Sequence, residues 1–465
     1  MLGHNFDSIV SRACILRAIR RDIANIRSNR SWCRPKESHL VDVLTVAYTS
    51  RSRVASLKTL LQTLCVYKNH LYFKIHLAAR AVQVCNILRS KHIMTSFRYE
   101  DLQITLTDKP SPKPDDEELR FGANTSDHMF EVDWTLEHGW GTPQIKPVAP
   151  LQIHPAAKVL HYACELFEGM KAYRCIDDKI RLFRPMENMQ RMANTAKRTS
   201  LPYFDQTEFL KCIKKLISID QEWVPHSQKC SLYVRPTFIG TEPRLVVSAP
   251  NMAKLFVITC PVGPYFPTGL KPISLLADPQ YVRAWPGGCG MYKMGSNYAP
   301  TTAIQIIANE KHGCQQVLWL YGEDHQMTEV GTMNLFVFWT NEQGEEELIT
   351  PPLETGLILP GVTRKSLLEL SRQWGEFKVS EQVITMKRFT KALNEGRVKE
   401  VFGAGTACIV CPVSKIIYLG QELNLASDIK ESLTQRFYKE INDIHFYRKP
   451  HHWMEEIDDV EEAII

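Results

Sequence analysis

Segments with the composition of strands alternate along the chain with segments that have the apolar spacing of helices. Strands are predicted at four runs rich in β-branched and aromatic residues: 231–240, 253–260, 315–321 and 334–339. Helices are predicted at three segments with apolar residues at helical spacing: 187–198, 207–218 and 363–374. The predicted buried face of the second helix holds Phe209, Ile213, Leu216 and Ile217. This alternation indicates a mixed α/β (α+β) fold.

Two proline-rich segments indicate how the chain is divided. Residues 108–118 are rich in proline and acidic residues, which predicts an exposed connector, and residues 260–269 are crowded with Pro and Gly, as an interdomain loop would be. A chain of 465 residues, 44% of them hydrophobic, can form more than one core. We therefore expect a smaller α/β domain over residues 96–260, an interdomain loop over residues 261–270 and a larger domain over residues 271–465.

The N-terminal segment differs in charge from the rest of the chain. The net charge is +5, but residues 1–99 hold 17 of the 56 Lys and Arg residues and only 4 of the 51 Asp and Glu residues. Residues 8–27 suit an amphipathic helix with isoleucines on one face and arginines mostly off it: Ile15, Ile19, Ile23 and Ile26, and Arg17, Arg20, Arg21 and Arg27. Such a segment is typical of a mitochondrial transit peptide. We expect residues 1–95 to be a basic targeting leader.

Other interpretations of this basic segment lead to other expectations. An ordinary surface helix has the same pattern, and the protein would then be cytoplasmic. A basic arm can bind nucleic acid, but here no aromatic interleaving or recognition motif accompanies the charge. Membrane insertion is not expected either, because Lys74 and Arg80 interrupt the apolar stretch around them.

The 13 cysteines are scattered through a long chain without a secretory signal, which predicts reduced thiols in an intracellular compartment. Only Cys408 and Cys411 have a notable spacing, that of a CxxC pair. A zinc site requires a second such pair, so no metal site is predicted.

Two residues have sequence surroundings that suit catalysis. Lys293 lies in GGCGMYKMGSNY (residues 287–298), where glycines let the backbone approach a flat ligand closely. Its amine would attack an aldehyde if desolvation or a nearby cation lowered its pKa, although most lysines near glycines are loop residues. Glu329 precedes Val330, Gly331 and an apolar strand. A carboxylate at the mouth of a buried strand is either an edge residue or a functional group, such as the partner of a protonated pyridine nitrogen.

Two segments suit an anion. Gly361, Val362 and Thr363 are predicted to open a helix, where free N–H groups and the helix dipole favour a phosphate. Residues 401–408 (VFGAGTAC) are predicted to form a glycine-rich turn whose amides hold phosphate or carboxylate. Each segment alone is a common helix start or turn, but the order of the two along the chain supports an anion site.

Nine motifs occur in consistent order over about residues 95–455: FEGMKAYR, NMQRM, SLYVRPTFIGTEP, CPVGPYFP, RAWPGG, YKMGSNY, TEVGTMNLF, LPGVTR and FGAGTACIVCPV. Together they closely resemble the branched-chain amino acid aminotransferases, in particular the animal type. The resemblance implies a two-domain, fold-type-IV pyridoxal 5'-phosphate enzyme that forms a homodimer and binds the cofactor in its larger domain. It also implies ping-pong transfer of the amino group of L-leucine, L-isoleucine or L-valine to 2-oxoglutarate.

The resemblance also implies roles for individual residues. Lys293 would be the catalytic Schiff-base lysine. The other cofactor contacts would be Arg191, Val362 and Thr363 at the phosphate, Glu329 at the pyridine nitrogen, Tyr298 at the phenolic oxygen, and Thr406. The substrate carboxylate would bind at Thr406 and Ala407. The side-chain pocket would hold Phe167, Tyr233, Tyr265 and Val247, with Arg235 near it and Tyr162 and Leu245 reaching in from a neighbouring subunit. Cys408 and Cys411 would be either a redox-sensitive pair or two buried thiols.

This chain departs from the family's pattern at two places. Ala404 stands where the family commonly has Ser, which implies a missing hydroxyl contact to the phosphate and cofactor binding weaker by about 1 kcal/mol. The segment after residues 420–424 (GQELN) lacks the family's usual proline-containing stretch and ends in the acidic tail DDVEEAII.

Three rival functions can be weighed against this expectation. D-Amino-acid aminotransferases and aminodeoxychorismate lyases share the fold type, but the motifs CPVGPYFP and TEVGTMNLF argue against both. A scaffold or redox-sensing binding module without activity is the third rival. The presence of Lys293, Glu329, Tyr298 and Arg191 argues against it.

Overall fold

The structure, a computed structural model, describes residues 96–263, 270–426 and 431–457. Twenty strands lie in these ranges: β1 (Gln103–Ile104), β2 (His128–Thr135), β3 (Gly139–Trp140), β4 (Gln144–Pro147), β5 (Glu165–Phe167), β6 (Met170–Arg174), β7 (Ile180–Phe183), β8 (Ser231–Gly240), β9 (Met252–Val262), β10 (Ile273–Ala277), β11 (Gln316–Tyr321), β12 (Gln326–Val330), β13 (Met333–Thr340), β14 (Glu346–Thr350), β15 (Lys378–Glu381), β16 (Ile384–Thr385), β17 (Val398–Gly405), β18 (Ile409–Tyr418), β19 (Gln421–Asn424) and β20 (Met454–Glu456). The same ranges hold seven α-helices: α1 (Lys158–Tyr162), α2 (Pro185–Arg198), α3 (Gln206–Ile219), α4 (Ala299–His312), α5 (Val362–Trp374), α6 (Met386–Asn394) and α7 (Leu433–His445).

The first sheet has the strand order β1-β4-β2-β9-β8-β6-β7-β20, with β3 on β2 and β5 on β8. Its longest pairing joins β8 and β9 in antiparallel register from Ser231–Val262 to Gly240–Ala253. Helix α3 packs on this sheet and begins after Asp205, whose carboxylate accepts hydrogen bonds from the first free N–H groups of the helix. The face predicted for this helix is buried in the core of the sheet, which confirms the prediction from its periodicity.

The second sheet has the order β15-β14-β13-β17-β18-β10-β11-β12-β16, with β19 on β18. An additional pairing of β12 with β13 closes six of its strands into a ring. Most pairings are antiparallel, but β10 runs parallel to both β11 and β18. This ring matters for the site because β12, β17 and the loop after β10 all carry candidate residues.

The two sheets share a hydrophobic core within one compact unit, which contains all of the described residues. Tyr173 and Phe183 of the first sheet belong to the same buried cluster as Phe336 and Phe402 of the second. Strand β20, far along the chain, returns to pair with β7 in the first sheet. The contact between the sheets therefore positions residues of both around one site.

All seven predicted elements are found, with small differences at their ends. The strand predicted at residues 253–260 extends to Val262, which is inside the predicted interdomain loop. Residues 108–118 are exposed as predicted, except for the half-buried Pro114. The mixed α/β fold class is confirmed, and the domain boundaries stay a prediction.

The prediction of a glycine-rich turn at residues 401–408 is wrong for most of these residues. Strand β17 continues to Gly405, and only residues 406–408 form the turn to β18. A side chain at Gly403 would meet the Met333 Sδ atom at 3.0 Å, so this glycine permits close packing inside a sheet. Glycine was interpreted as a sign of a turn where it is a sign of close approach.

Three predictions lie outside the described residues: the targeting leader, Tyr265 and the acidic tail DDVEEAII. Within the parts of the chain that are described, none of the helices is long and apolar enough to cross a membrane.

Candidate active site

Lys293 lies between the two sheets, in the loop that leads from β10 to α4. Its carbonyl oxygen accepts a hydrogen bond of 3.2 Å from the N–H of Phe167, and its own N–H donates to Thr195 Oγ1 at 3.2 Å. The side-chain amine donates to the hydroxyl of Tyr298 at 3.2 Å and lies 4.8 Å from the centre of the Phe167 ring. The backbone contacts to β5 and α2 therefore hold the amine beside a phenol and an aromatic face.

The sequence predicts Glu329 at the mouth of a buried strand that follows it. The structure instead places Glu329 inside β12. Its carboxylate is buried, and it pairs with Arg283 at 3.0 Å. The other oxygen accepts hydrogen bonds from Asn334 Nδ2 at 3.1 Å and from the N–H of Leu359 at 2.8 Å. Burial raises the pKa of Glu329, and the Arg283 guanidinium and the Leu359 N–H act in the opposite direction. The carboxylate is thus held rigidly in a region that favours a cationic partner.

Arg191 of α2 forms a buried, bidentate pair with Glu168, its Nε and Nη2 donating at 2.7 and 2.8 Å. Its third nitrogen donates to the carbonyl oxygen of Pro360 at 3.1 Å. Burial alone would raise the pKa of Glu168, but Arg191 outweighs it, and the pKa of this carboxyl is lowered. Because Pro360 directly precedes α5, Arg191 brings a positive charge to the start of that helix.

Helix α5 begins at Val362, as the sequence predicts, with Gly361 as its N-cap residue. No side chain caps the first N–H groups of this helix. Gly361 lies against Asn334, since a Cβ atom there would meet Asn334 Oδ1 at 2.0 Å. Val362 and Thr363 are therefore positioned with free amides beside both Arg191 and the Glu329 network.

Three of the residues assigned to the side-chain pocket lie together near Lys293. Arg235 Nη2 donates to the Tyr233 hydroxyl at 3.0 Å, and its guanidinium lies 4.8 Å from the Phe167 ring centre. The Phe167 ring is in turn 4.9 Å from the Tyr298 ring. The Nε atom of Arg235 is buried without a hydrogen-bond partner in the structure. This wall of the site is aromatic, with one arginine at its edge.

The other pocket residues that the structure describes are exposed in the single chain. Tyr162 at the end of α1 is 40% exposed, and Leu245 and Val247 in the loop between β8 and β9 are 61% and 82% exposed. The structure therefore does not bring Val247 into the protomer's own pocket, where the sequence analysis assigned it. Exposure of these apolar side chains is what residues that enter a neighbouring subunit require.

The turn between β17 and β18 contains the residues that are expected to bind the substrate carboxylate. Thr406 and Ala407 are half-buried there, and the Ala407 carbonyl oxygen accepts a hydrogen bond of 3.0 Å from Lys171 Nζ. Cys408 and Cys411 are buried free thiols in one core cluster. Burial raises the pKa of Cys408 to about 12 and also raises that of Cys411. These surroundings favour two protonated thiols over an activated pair.

Four residues of the site carried no role in the sequence analysis: Glu168, Lys171, Arg283 and Asn334. All four lie in quoted motifs, namely FEGMKAYR, RAWPGG and TEVGTMNLF. A role for them follows only from burial and from partners distant in the sequence, which composition and spacing do not show.

Comparison with known proteins shows what this chain is similar to. The model of a family described as amino-transferase class IV matches residues 165–416. The cytosolic branched-chain-amino-acid aminotransferase of Mus musculus is 56% identical over 370 residues, which cover 79% of this chain and 95% of that protein. The mitochondrial branched-chain-amino-acid aminotransferase of Bos taurus is 54% identical over 367 residues, covering 78% of this chain and 93% of that protein.

A solved structure shows likeness in fold. The branched-chain amino acid aminotransferase of Thermobaculum terrenum, in its PLP form, has a TM-score of 0.56 with this chain. The match covers 71% of this chain and 98% of that one at 16% identity.

Proposed function

Because the chain belongs to the class IV aminotransferases, and among them to the branched-chain amino acid aminotransferases, we propose that it moves the amino group of L-leucine, L-isoleucine or L-valine to 2-oxoglutarate. The products are the branched-chain 2-oxo acids and L-glutamate. One observation carries the proposal: the Lys293 amine lies 3.2 Å from the Tyr298 hydroxyl. The same site holds a buried acid, Glu329, and a buried cation, Arg191.

The donors and acceptors in the site fit pyridoxal 5'-phosphate. A buried carboxylate held by Arg283 and Asn334 suits the protonated ring nitrogen, and the uncapped start of α5 beside Arg191 suits the phosphate. When bound, this group supplies an electron sink that lowers the cost of removing a proton from the substrate Cα. Lys293 would hold it covalently, with Arg191, Glu329, Tyr298, Val362, Thr363 and Thr406 as the other contacts.

In this proposal Lys293 also transfers the proton. Its Nζ atom takes the proton from the substrate Cα and returns one to the other end of the reacting system, and the Tyr298 hydroxyl orients the amine for both steps. The same amine serves both halves of the reaction, since the amino acid and 2-oxoglutarate bind in turn at one site. This alternation is a ping-pong sequence.

The walls of the pocket support the choice of substrate. Phe167 and Tyr233 offer an apolar surface for a branched side chain, and Arg235 with the Tyr233 hydroxyl offers donors for the second carboxylate of glutamate. Thr406 and Ala407 would hold the carboxylate that both substrates share. We also assign Tyr265 to this pocket from the resemblance.

The protein is proposed to act as a homodimer. Tyr162, Leu245 and Val247 are apolar and exposed in one chain, and α1 is joined to the β8–β9 loop by a buried pair, Lys158 and Glu242, at 2.7 Å. A second copy of the chain would cover these side chains and receive them at its own pocket.

The proposed reaction is tested by mixing the purified protein with L-leucine and 2-oxoglutarate and measuring glutamate. The visible absorbance of the cofactor is recorded before and after L-leucine is added. We expect glutamate and a spectral change from the wild type and neither from Lys293→Ala, whereas the exposed-lysine control Lys311→Ala keeps both. A wild type that forms no glutamate overturns the proposal, and glutamate formed only from a D-amino acid would support the rival aminotransferase.

We further propose a mitochondrial location, with residues 1–95 as the leader. Relatives above 50% identity include both mitochondrial and cytosolic proteins, so the location has to be measured. The full chain with a C-terminal tag is expressed in cells that are then fractionated. A tagged chain found only in the cytosol would refute the proposal.

A further inference from the structure

Lys171 is a buried lysine at the site for which the proposed reaction has no task. It lies on β6 and is paired in register with Tyr233 of β8, so the two side chains emerge on the same face of the first sheet. Its amine reaches the second sheet, where it donates to the Ala407 carbonyl oxygen at 3.0 Å. Lys171 therefore lies between a residue of the proposed side-chain pocket and the turn proposed to hold the substrate carboxylate.

No carboxylate pairs with the Lys171 amine in the part of the chain that the structure describes. Besides Tyr233, the titratable groups around it are Cys408 on the turn, His445 at the end of α7 and Tyr173 on its own strand. The nearby acid Glu168 is held by Arg191. Burial lowers the pKa of His445, and the Lys171 charge lowers it further, which keeps that ring neutral. The lysine thus has neutral neighbours.

The buried Lys171 ammonium lacks a full set of hydrogen-bond acceptors and a counter-ion among the described residues. Ala407 accepts one of its three N–H groups, and none of the described residues accepts the other two. Burial lowers the pKa of Lys171 to about 8, so most of the amine is still charged at neutral pH. A charge without a counter-ion in such a place is costly, and an anion bound beside it would remove that cost.

We propose that Lys171 supplies the positive charge that selects substrates with a carboxylate next to the reacting carbon, and that it binds this carboxylate together with the turn at residues 406–408. This inference rests on the proposed function and deepens it by naming the group that recognises the substrate class. The hydrogen bond to Ala407 adds to the effect, because it polarises the peptide group whose N–H belongs to Cys408. The amine binds the anion and strengthens a second donor for it.

The proposal has a definite pH dependence. A bound carboxylate favours the charged form of the amine, so its binding is linked to protonation of Lys171. Binding is strongest where the amine is charged and weakens as the pH rises through about 8. An arginine at the same position would stay charged across this range, and a methionine would never be charged.

The experiment measures binding to the holoenzyme with two fragments of leucine. The probes are 4-methylpentanoate, which keeps the carboxylate and lacks the amine, and 3-methylbutylamine, which keeps the amine and lacks the carboxylate. Dissociation constants are taken from the change in cofactor absorbance for the wild type, Lys171→Met and Lys171→Arg between about pH 7 and 9. We expect Lys171→Met to bind 4-methylpentanoate about 10-fold or more weakly at neutral pH and to bind 3-methylbutylamine as the wild type does.

The three proteins should also differ in their pH profiles. Wild-type affinity for 4-methylpentanoate should fall across this range relative to that for the amine. Lys171→Arg should keep its affinity for 4-methylpentanoate across this pH range. The affinity of Lys171→Met should be low and should not change with pH. If Lys171→Met does not fold, the profiles of the wild type and Lys171→Arg still provide the test.

Two results would overturn the inference: unchanged binding of 4-methylpentanoate in Lys171→Met, or equal weakening of both probes, which indicates a structural role only. Failure of the proposed function is seen separately, as a wild type that forms no glutamate from L-leucine and 2-oxoglutarate.

Discussion

Buried charged side chains around the site are held in pairs, with Lys171 as the exception among those described. Arg191 is fixed by the two hydrogen bonds that it donates to Glu168, and Glu329 is fixed by Arg283. Such pairs add little net stability as a whole, but removing one partner leaves an uncompensated charge in the interior. The partners therefore determine where the groups assigned to the proposed cofactor point.

Removing the charge of Glu168 tests this arrangement. Glu168→Gln keeps the shape of the side chain, and we expect the free energy of unfolding to fall by about 3 kcal/mol, together with weaker cofactor binding, because Arg191 loses its counter-ion. Urea unfolding and cofactor titration measure the two effects. The control Glu376→Gln breaks an exposed pair with Arg436 and should lower the free energy of unfolding far less than Glu168→Gln does, because solvent screens that pair. Equal losses in both variants would contradict the argument.

The effect of Glu168 should also depend on pH in one direction. Its pKa is lowered in the folded protein, so its contribution to stability is present above the unfolded value of about 4.3 and is lost as the pH falls through the folded value. The stability difference between the wild type and Glu168→Gln should therefore shrink when unfolding is measured at acid pH. A stability difference that grows as the pH falls would contradict the lowered pKa of Glu168.

The sequence predicts the residues assigned to the proposed cofactor but not the residues that pair with them. Arg191 is assigned through its motif, whereas Glu168, 23 positions earlier, carries no sequence signal. An acid in FEGMKAYR has no special spacing or composition, and its role depends on complete burial beside one guanidinium. Burial and distant pairing are properties of the fold, which explains why only the structure reveals them.

Among the structural elements, strand ends and helix ends bring the site together. Helix α5 starts at Val362, and the preceding glycine lets Asn334 approach. In the first sheet, Gly169 has the same use: a Cβ atom there would meet the Tyr233 hydroxyl at 1.9 Å. Two glycines thus make room, one for Asn334 at the proposed phosphate site and one for Tyr233 at the proposed substrate pocket.

Alanine substitutions at Gly361 and Gly169 should affect cofactor binding and substrate binding separately. Gly361→Ala would displace Asn334 from Glu329, and we expect weaker cofactor binding with an overpacking cost of about 1–3 kcal/mol. Gly169→Ala would displace Tyr233, and we expect a higher KM for L-leucine with cofactor binding little changed. Cofactor titration and steady-state kinetics on both variants test this. The expectation fails if each variant affects both quantities equally.

The substitution at Ala404 can be tested in the same way. Ala404 is buried inside β17, paired with Asn334 on one side and Val410 on the other. If the missing hydroxyl is a phosphate contact, Ala404→Ser should strengthen cofactor binding by about 1 kcal/mol, measured by titration of the cofactor-free protein. Unchanged affinity would show that the position does not contact the phosphate.

Apolar periodicity predicted the larger elements well because each covers a core face. The helix at residues 207–218 and the strand at residues 231–240 are examples. The turn at residues 401–408 failed because Gly403 permits contact with Met333 and does not reverse the chain. A single glycine in a sequence does not distinguish these two uses.

At the scale of the whole molecule, the single chain leaves large apolar side chains exposed to solvent. Leu245 and Val247 are the clearest cases. The proposed homodimer would cover them and complete the pocket. The resemblance implied such residues, and their exposure in one chain supports the implication.

A charge at this surface should separate the subunits. We expect Val247→Asp to shift the protein from dimer to monomer in size-exclusion chromatography with light scattering, and to lose most of its activity. Leu419→Asp, a charge at another exposed apolar residue, is the control and should leave both unchanged. A Val247→Asp variant that stays dimeric and fully active would argue against this interface.

The return of β20 to the first sheet has a consequence for synthesis of the chain. Met454 pairs with Phe183, 271 positions earlier, so β7 is an open edge while the second sheet is being made. The ribosome must deliver nearly all of the described residues before this edge is closed. Until then one edge of β7 is available to other nascent chains, and pairing over such a sequence distance is intrinsically slow. Biogenesis of this enzyme should therefore depend on chaperones that shield β7 until the last strand arrives.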